Sequence, residues 1–411
     1  MNIYLIFILT FLIFEYLVDT YSKYLNIKSL QLEIPKEFIG FYDADKYVNS
    51  QKYTKDNSKF NLFVSFINLL IIIIFILIGG FNYLDLFLRK IIVNNDIFLG
   101  LSYFLILIII NFLITLPISF YSTFYIEEKY GFNKSSKKLF FIDQIKGLLI
   151  SIIMGLIILF FILYFFMLFE KSAWIYSWII ISLFIIFMPT LYVNWIAPIF
   201  NKFTKLEKGE LKNKINQYSI TVKFPLKEIF IIDGSKRSSH SNAYFTGFGK
   251  NKRIVLFDTL LETHSNDEII SIIAHEVGHY KKNHILYNTI ISIINVGIML
   301  YCLHFFIDNA LLFDAFKMKE ISIYAGIIFF SILYSPISFI VGMGINYYSR
   351  LNEYQADEYS IASTNNKDNL ISALKNLSIA NLSNLTPHPF YVFLNYTHPP
   401  IIKRIKAIEK N

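Results

Sequence analysis

Two histidines four residues apart, His275 and His279, bracket Glu276, Val277 and Gly278 in the pattern H-E-x-x-H. On a helix, positions i and i+4 share a face, so both imidazoles can reach one ion while Glu276 projects beside them. That combination suits hydrolysis at zinc. It offers two neutral nitrogen ligands, room for water in the coordination sphere, and a carboxylate at hand to take a proton. Ser265 and Glu268 form a capping-box pattern ahead of the apolar run IISIIAHEVGHY, which places the motif on a helix.

A catalytic zinc needs a third protein ligand, usually His or an acid. Glu353 and Asp357, in RLNEYQAD, are again four apart on one prospective helix face. One can bind the metal while the other holds the second nitrogen of a ligand histidine; spacing alone does not say which. His284, five residues beyond His279, falls on a different helix face and reads as an interfacial residue. His264 and His304 read as structural. His240, in SSHSN, and His398, in a His-Pro-Pro turn, can meet the site only through the fold.

The elements that must position these residues lie in an unusually apolar chain. Hydrophobic residues make up 55% of the 411, and only 17% are charged, against about 25% in a typical globular domain. Such an excess implies surface facing lipid. Seven apolar segments serve as candidate spans, near 3–18, 61–82, 98–121, 146–169, 173–197, 285–307 and 321–348. The first has no small-residue cleavage site before Asp19 and is kept as a span. The net charge of +8 comes from lysines scattered through loops, with no dense basic helix and no Gly-rich phosphate loop. The expectation is no nucleic-acid partner, with the basic excess explained by the positive-inside rule. The single cysteine, Cys302, rules out an internal disulfide and any multi-cysteine metal site.

With seven spans, loops on one side carry only Arg89, Lys90, Lys171, Lys317 and Lys319, so the remaining polar regions should face the cytosol. The expected division is 1–197, five membrane helices with cytosolic loops; 198–284, a cytosolic catalytic region; 285–348, two further membrane helices; and 349–411, a cytosolic C-terminal region with the third ligand. Within the polar island, Glu228–Asp233 and Arg253–Asp258 read as short buried strands. Between them, Ser241–Gly249 holds a strand-like NAYF and two glycines suited to turns.

Taken together, these residues resemble the integral-membrane type I CAAX prenyl proteases. The resemblance runs through IEEKYGFNKS (126–135), IAPIFNKFTKLEKGEL (196–211), DGSKRSSHSNAYFTGFGKNKRIVLFDTLL (233–261), AHEVGHYKKNH (274–284), SRLNEYQADEYS (349–360) and LSNLTPHPFYVFLNYTHPPIIKRIKAI (382–408). It implies one zinc per chain held by His275, His279 and Glu353, with Asp357 steadying a ligand histidine. It implies substrate-positioning roles for Asn242 and Arg404, and a catalytic role for His398 beside that of Glu276. The implied fold is an α-helical integral membrane protein whose seven transmembrane helices form a barrel-like chamber under a small cytosolic α+β cap. The implied activity is endoproteolysis near the C-terminus of prenylated CAAX-type proteins, with protein or peptide substrates and membrane lipid as partners. The alternative is a quality-control protease acting on misfolded or translocon-blocked proteins. The compact form, ending at Lys410-Asn411 without an ER-retention signal, favours a bacterial cell membrane over the endoplasmic reticulum.

Overall fold

A computed structural model of the chain describes residues 2–247 and 252–410. Among these, five helical stretches are long and apolar enough to cross a membrane: Ile3–Lys28, Ala44–Leu77, Asp96–Glu127, Lys137–Phe200 and His284–Phe306. The helices Ile323–Leu333 and Ser335–Thr364 meet at 55° and make a sixth if counted as one broken span. Most of their large side chains point outward, Phe63, Leu113, Ile153 and Ile298 among them. This is the inverse of a water-soluble surface and the arrangement lipid requires.

The expectation of seven membrane helices in a barrel-like wall is therefore corrected to five, or six with the bent pair. The apolar runs near 146–169 and 173–197 belong to one helical stretch of 64 residues. Only the 3₁₀ turn Glu170–Ser172 separates Lys137–Phe169 from Ala173–Leu191, and the two helices pack on each other through Phe165, Phe169 and Tyr176. The run near 321–348 is not one straight helix either, since Pro336 sits at the start of its second half. No closed barrel of strands exists among the described residues; the sheet is open. The helix count consequently no longer fixes the two ends of the chain on opposite sides of the bilayer.

Pro117 and Pro189 are tolerated inside long helices, and each is followed by a π-helical turn, Ser122–Glu127 and Tyr192–Ile196. A proline leaves the carbonyl four residues before it without its donor, a cost that helices in a membrane bundle tolerate where neighbouring groups answer it.

The polar island folds as an open four-stranded sheet in the order β1-β2-β4-β3, with β1 Phe203–Lys205, β2 Leu226–Ile232, β3 Ala243–Thr246 and β4 Lys252–Phe257. β2 and β4 run parallel, while β1 and β3 are antiparallel to their neighbours. The strands read from the sequence are present to within two residues at either end, whereas the turn expected at Gly249 lies outside the described residues. β3 is an edge strand. The apolar face of the sheet (Ile229, Ile254, Leu256, Ala243) packs on Ile269, Ile273, Ala274 and Val277 of the helix Asn266–Lys281. Burying that stripe leaves the opposite face of the helix, bearing the two histidines, turned away from the sheet.

Candidate metal centre

The helix Asn266–Lys281 begins with the capping box expected for it. Ser265 N donates to Glu268 Oε2 at 2.8 Å, and Glu268 N donates to Ser265 Oγ at 3.3 Å. The helix ends at Lys282, and Asn283 adopts a left-handed conformation, φ 58°, before a new helix starts at His284. Gly278 has a packing reason to lack a side chain: a Cβ there would lie 3.0 Å from both the Cα and the carbonyl oxygen of Ala356. The helix Ser335–Thr364 can therefore approach closely, and Ser360 Oγ seals the crossing by donating to Ser271 O at 2.8 Å.

That crossing delivers Glu353 and Asp357 to the histidines. His275 Nε2 and His279 Nε2 are 3.2 Å apart, and Glu353 stands over both, 3.4 Å from the first and 3.3 Å from the second. Behind His275, Asp357 Oδ1 lies 2.9 Å from Nδ1. Asp357 is itself held by Arg404, which donates from Nε at 2.8 Å and from Nη2 at 2.6 Å. Arg404 Nη1 stands 3.3 Å from Glu353 Oε2. Behind His279 the partner is His284, whose Nδ1 lies 2.9 Å from Nδ1 of His279 and whose Nε2 lies 3.1 Å from Gln355 Oε1.

One ligand atom from each of His275, His279 and Glu353 lies within 4.8 Å of the other two, so these three could share a metal ion. Two observations support the fit. Glu353 Oε2 is buried and accepts no hydrogen bond; Arg404 Nη1 at 3.3 Å and His275 Nε2 at 3.4 Å face it without satisfying it, which leaves a lone pair free for a metal ion. The Nε2 atoms of both histidines also turn toward the Glu353 carboxylate, that of His275 toward Oε2 and that of His279 toward Oε1. The electrostatics agree. Burial draws the His275 pKa down, but its bonds to Asp357 and Glu353 outweigh this and lift it to about 9, so the pocket favours positive charge. Burial pushes the Glu276 carboxyl up from its ordinary value, and the flanking histidines offset part of the rise.

The remaining sequence candidates separate clearly. His398 is beside the centre, with Nε2 3.3 Å from Glu353 Oε1 and 64% of its side chain exposed. The protein around it still lowers its pKa through partial desolvation, against the opposing pull of Glu353. Arg404 is only 6% exposed, and its guanidinium is engaged by Asp357 and Glu353. Asn242 is exposed just before β3; its Oδ1 accepts from Ala243 N at 2.8 Å and its carbonyl from Phe257 N at 3.1 Å. His240 stacks on Phe132, ring centres 4.0 Å apart, with Nδ1 3.1 Å from Asn381 Oδ1, and so ties three stretches of chain together away from the cluster. His264 is buried against Thr263 Oγ1 and the carbonyl of Ala373. Sequence reasoning missed His284. Its signal was Asn283, a residue that tolerates the left-handed conformation at a helix stop.

Comparison with known proteins covers the whole chain. Residues 23–202 match the family described as CAAX prenyl protease N-terminal, five membrane helices, and residues 205–411 match peptidase family M48. The chain is 36% identical to CAAX prenyl protease 1 homolog of Arabidopsis thaliana over 97% of its length and 96% of the relative's. It is 34% identical to CAAX prenyl protease 1 of Saccharomyces cerevisiae, covering 97% and 94%, and 30% identical to the Homo sapiens homolog, covering 96% and 93%. The crystal structure of Ste24p from S. mikatae superposes with a TM-score of 0.94 at 34% identity, covering 99% of both chains.

Proposed function

The chain belongs to peptidase family M48, among the CAAX prenyl proteases, and from that premise we propose that it is a zinc endopeptidase cleaving near the C-terminus of prenylated CAAX-type proteins. The observation that carries the zinc assignment is the convergence of one ligand atom from each of His275, His279 and Glu353, with a buried Glu353 oxygen that accepts no hydrogen bond. Two imidazoles and one carboxylate form a ligand set suited to catalytic zinc, one ion per chain. When bound, the metal would polarise a carbonyl and make a water more acidic.

The other steps fall to the chain's own residues. Glu276 is adjacent to both ligand histidines and has no ion-pair partner among the described residues; it takes a proton from the attacking water and later gives it to the leaving amine nitrogen. His398, largely exposed and close to Glu353, donates a hydrogen bond from its imidazole to the substrate's carbonyl oxygen. The free edge of β3 accepts an extended peptide by main-chain hydrogen bonds, with Asn242 at its entrance fixing the register. Arg404 acts from behind as a positioning residue by holding Asp357 and Glu353.

The chain is a multi-pass membrane protein acting on protein substrates in a lipid setting. We assign residues 1–197 and 285–348 to the membrane part, and 198–284 with 349–411 to a catalytic part facing the cytosol, where most of the basic residues lie. The relatives named above are all eukaryotic, which gives no support to a bacterial membrane. The test is hydrolysis of a farnesylated CAAX peptide and of its unprenylated counterpart by the full chain in lipid. Preferred cleavage of the farnesylated peptide, lost in Glu276→Gln, supports the proposal. Equal cleavage of both would remove prenyl specificity and favour general proteolysis, and undiminished cleavage by Glu276→Gln would overturn the mechanism.

A further inference from the structure

His284 is 3% exposed, and its two ring nitrogens are both engaged, Nδ1 with His279 Nδ1 at 2.9 Å and Nε2 with Gln355 Oε1 at 3.1 Å. A neutral imidazole carries one N–H and one bare nitrogen, and an amide oxygen can only accept. His284 therefore donates from Nε2 to Gln355, which leaves its Nδ1 bare. A bare Nδ1 can only accept, so His279 donates from its own Nδ1. The Nε2 of His279, which faces His275 and Glu353, is then bare in turn. Each proton in the chain is set by the atom behind it.

We infer that Gln355 and His284 form a neutral hydrogen-bond chain that locks His279 in the tautomer a metal ligand needs. Both are positioning residues, and the inference rests on the metallopeptidase reading above. If the amide of Gln355 were reversed, its NH₂ would donate to His284 Nε2. His284 would then carry its proton on Nδ1, His279 would have to accept there, and the proton on His279 Nε2 would block coordination. The chain thus has one direction compatible with metal and one that is not. The helix stop makes it possible. In a continuous helix a residue five positions on is rotated by about 140°, but the left-handed Asn283 turns the chain and returns His284 to His279.

The test is zinc affinity of the full chain in lipid, stripped of metal and titrated against a chromophoric chelator, with a thermal melt as a check on folding. His284→Ala is expected to weaken zinc binding by about 10–100-fold, and activity should recover at saturating zinc. His284→Gln, whose side-chain oxygen can still accept from His279, should bind more tightly than His284→Ala. Gln355 is exposed, so its substitutions spare the fold: Gln355→Lys, a pure donor, should weaken binding, and Gln355→Glu should retain it. Undiminished affinity in Gln355→Lys, or equal losses in His284→Ala and His284→Gln with the melt unchanged, would overturn the inference. A native chain that binds no zinc would instead overturn the metallopeptidase reading beneath it.

Discussion

His275 and His279 present the same atom to the same place but are supported by opposite means. Behind His275 stands a buried ion pair, Asp357 with Arg404, joined by two short hydrogen bonds. Behind His279 stands a neutral chain through His284 to Gln355. Charge in the interior is costly to assemble and costly to break, because a surviving partner is left uncompensated. A neutral bond fixes direction at lower stakes, with a net worth nearer 0.5–1.5 kcal/mol, roughly. The centre therefore places its electrostatic strength on one ligand and its proton bookkeeping on the other. Arg404 also faces Glu353, so the charged support serves two ligands at once.

This contrast can be broken in graded steps. The largest effect should come from Glu276→Gln, which touches neither support: peptide hydrolysis should fall by about 10²–10⁴-fold while zinc content stays that of the native chain, as read by elemental analysis beside a peptidase assay. Next is Asp357→Asn, which removes the nearer of the two carboxylates that face Arg404. It should cost about 3–5 kcal/mol of stability in denaturant or thermal unfolding, together with a loss of zinc affinity. Alanine at His284 should cost less stability, about 1–3 kcal/mol, with the damage falling mainly on metal affinity. If Asp357→Asn and His284→Ala destabilise equally, the two supports are not different in kind. The smallest effect should be that of Gly278→Ala, about 1–3 kcal/mol of overpacking at most. It presses on Ala356 and so disturbs both supports together, and a loss confined to one would contradict the crossing described above.

What the sequence displayed and what it concealed follow the same physics. The HExxH helix was legible because its signals are local: Ser265 and Glu268 cap it, and its apolar stripe repeats with the helical period. Strands β2, β3 and β4 were legible as short apolar runs between turn residues. The pairing of Glu353 with the histidines was not, because it depends on a close helix crossing, eased by the missing side chain at Gly278, between segments far apart in the chain. The contact of His284 with His279 was not legible because helical periodicity was carried past Asn283, where the helix ends. Nothing local in the sequence marks Arg404 as buried; the C-terminal helix Ile401–Lys410 brings it to Asp357. The membrane helices were miscounted because hydropathy detects apolar runs but is blind to how they join. At Glu170–Ser172 a single 3₁₀ turn folds one helix back on the next without a loop, and at Pro336 the path bends.

The central claim is that His275, His279 and Glu353 hold one metal ion, and the most direct measurement is the zinc content of the purified full chain beside Glu353→Ala and the double variant His275→Ala/His279→Ala. The account predicts one zinc per native chain, a reduced content in Glu353→Ala, and none in the double variant. Zinc retained by the double variant, or absent from a correctly folded native chain, would contradict it.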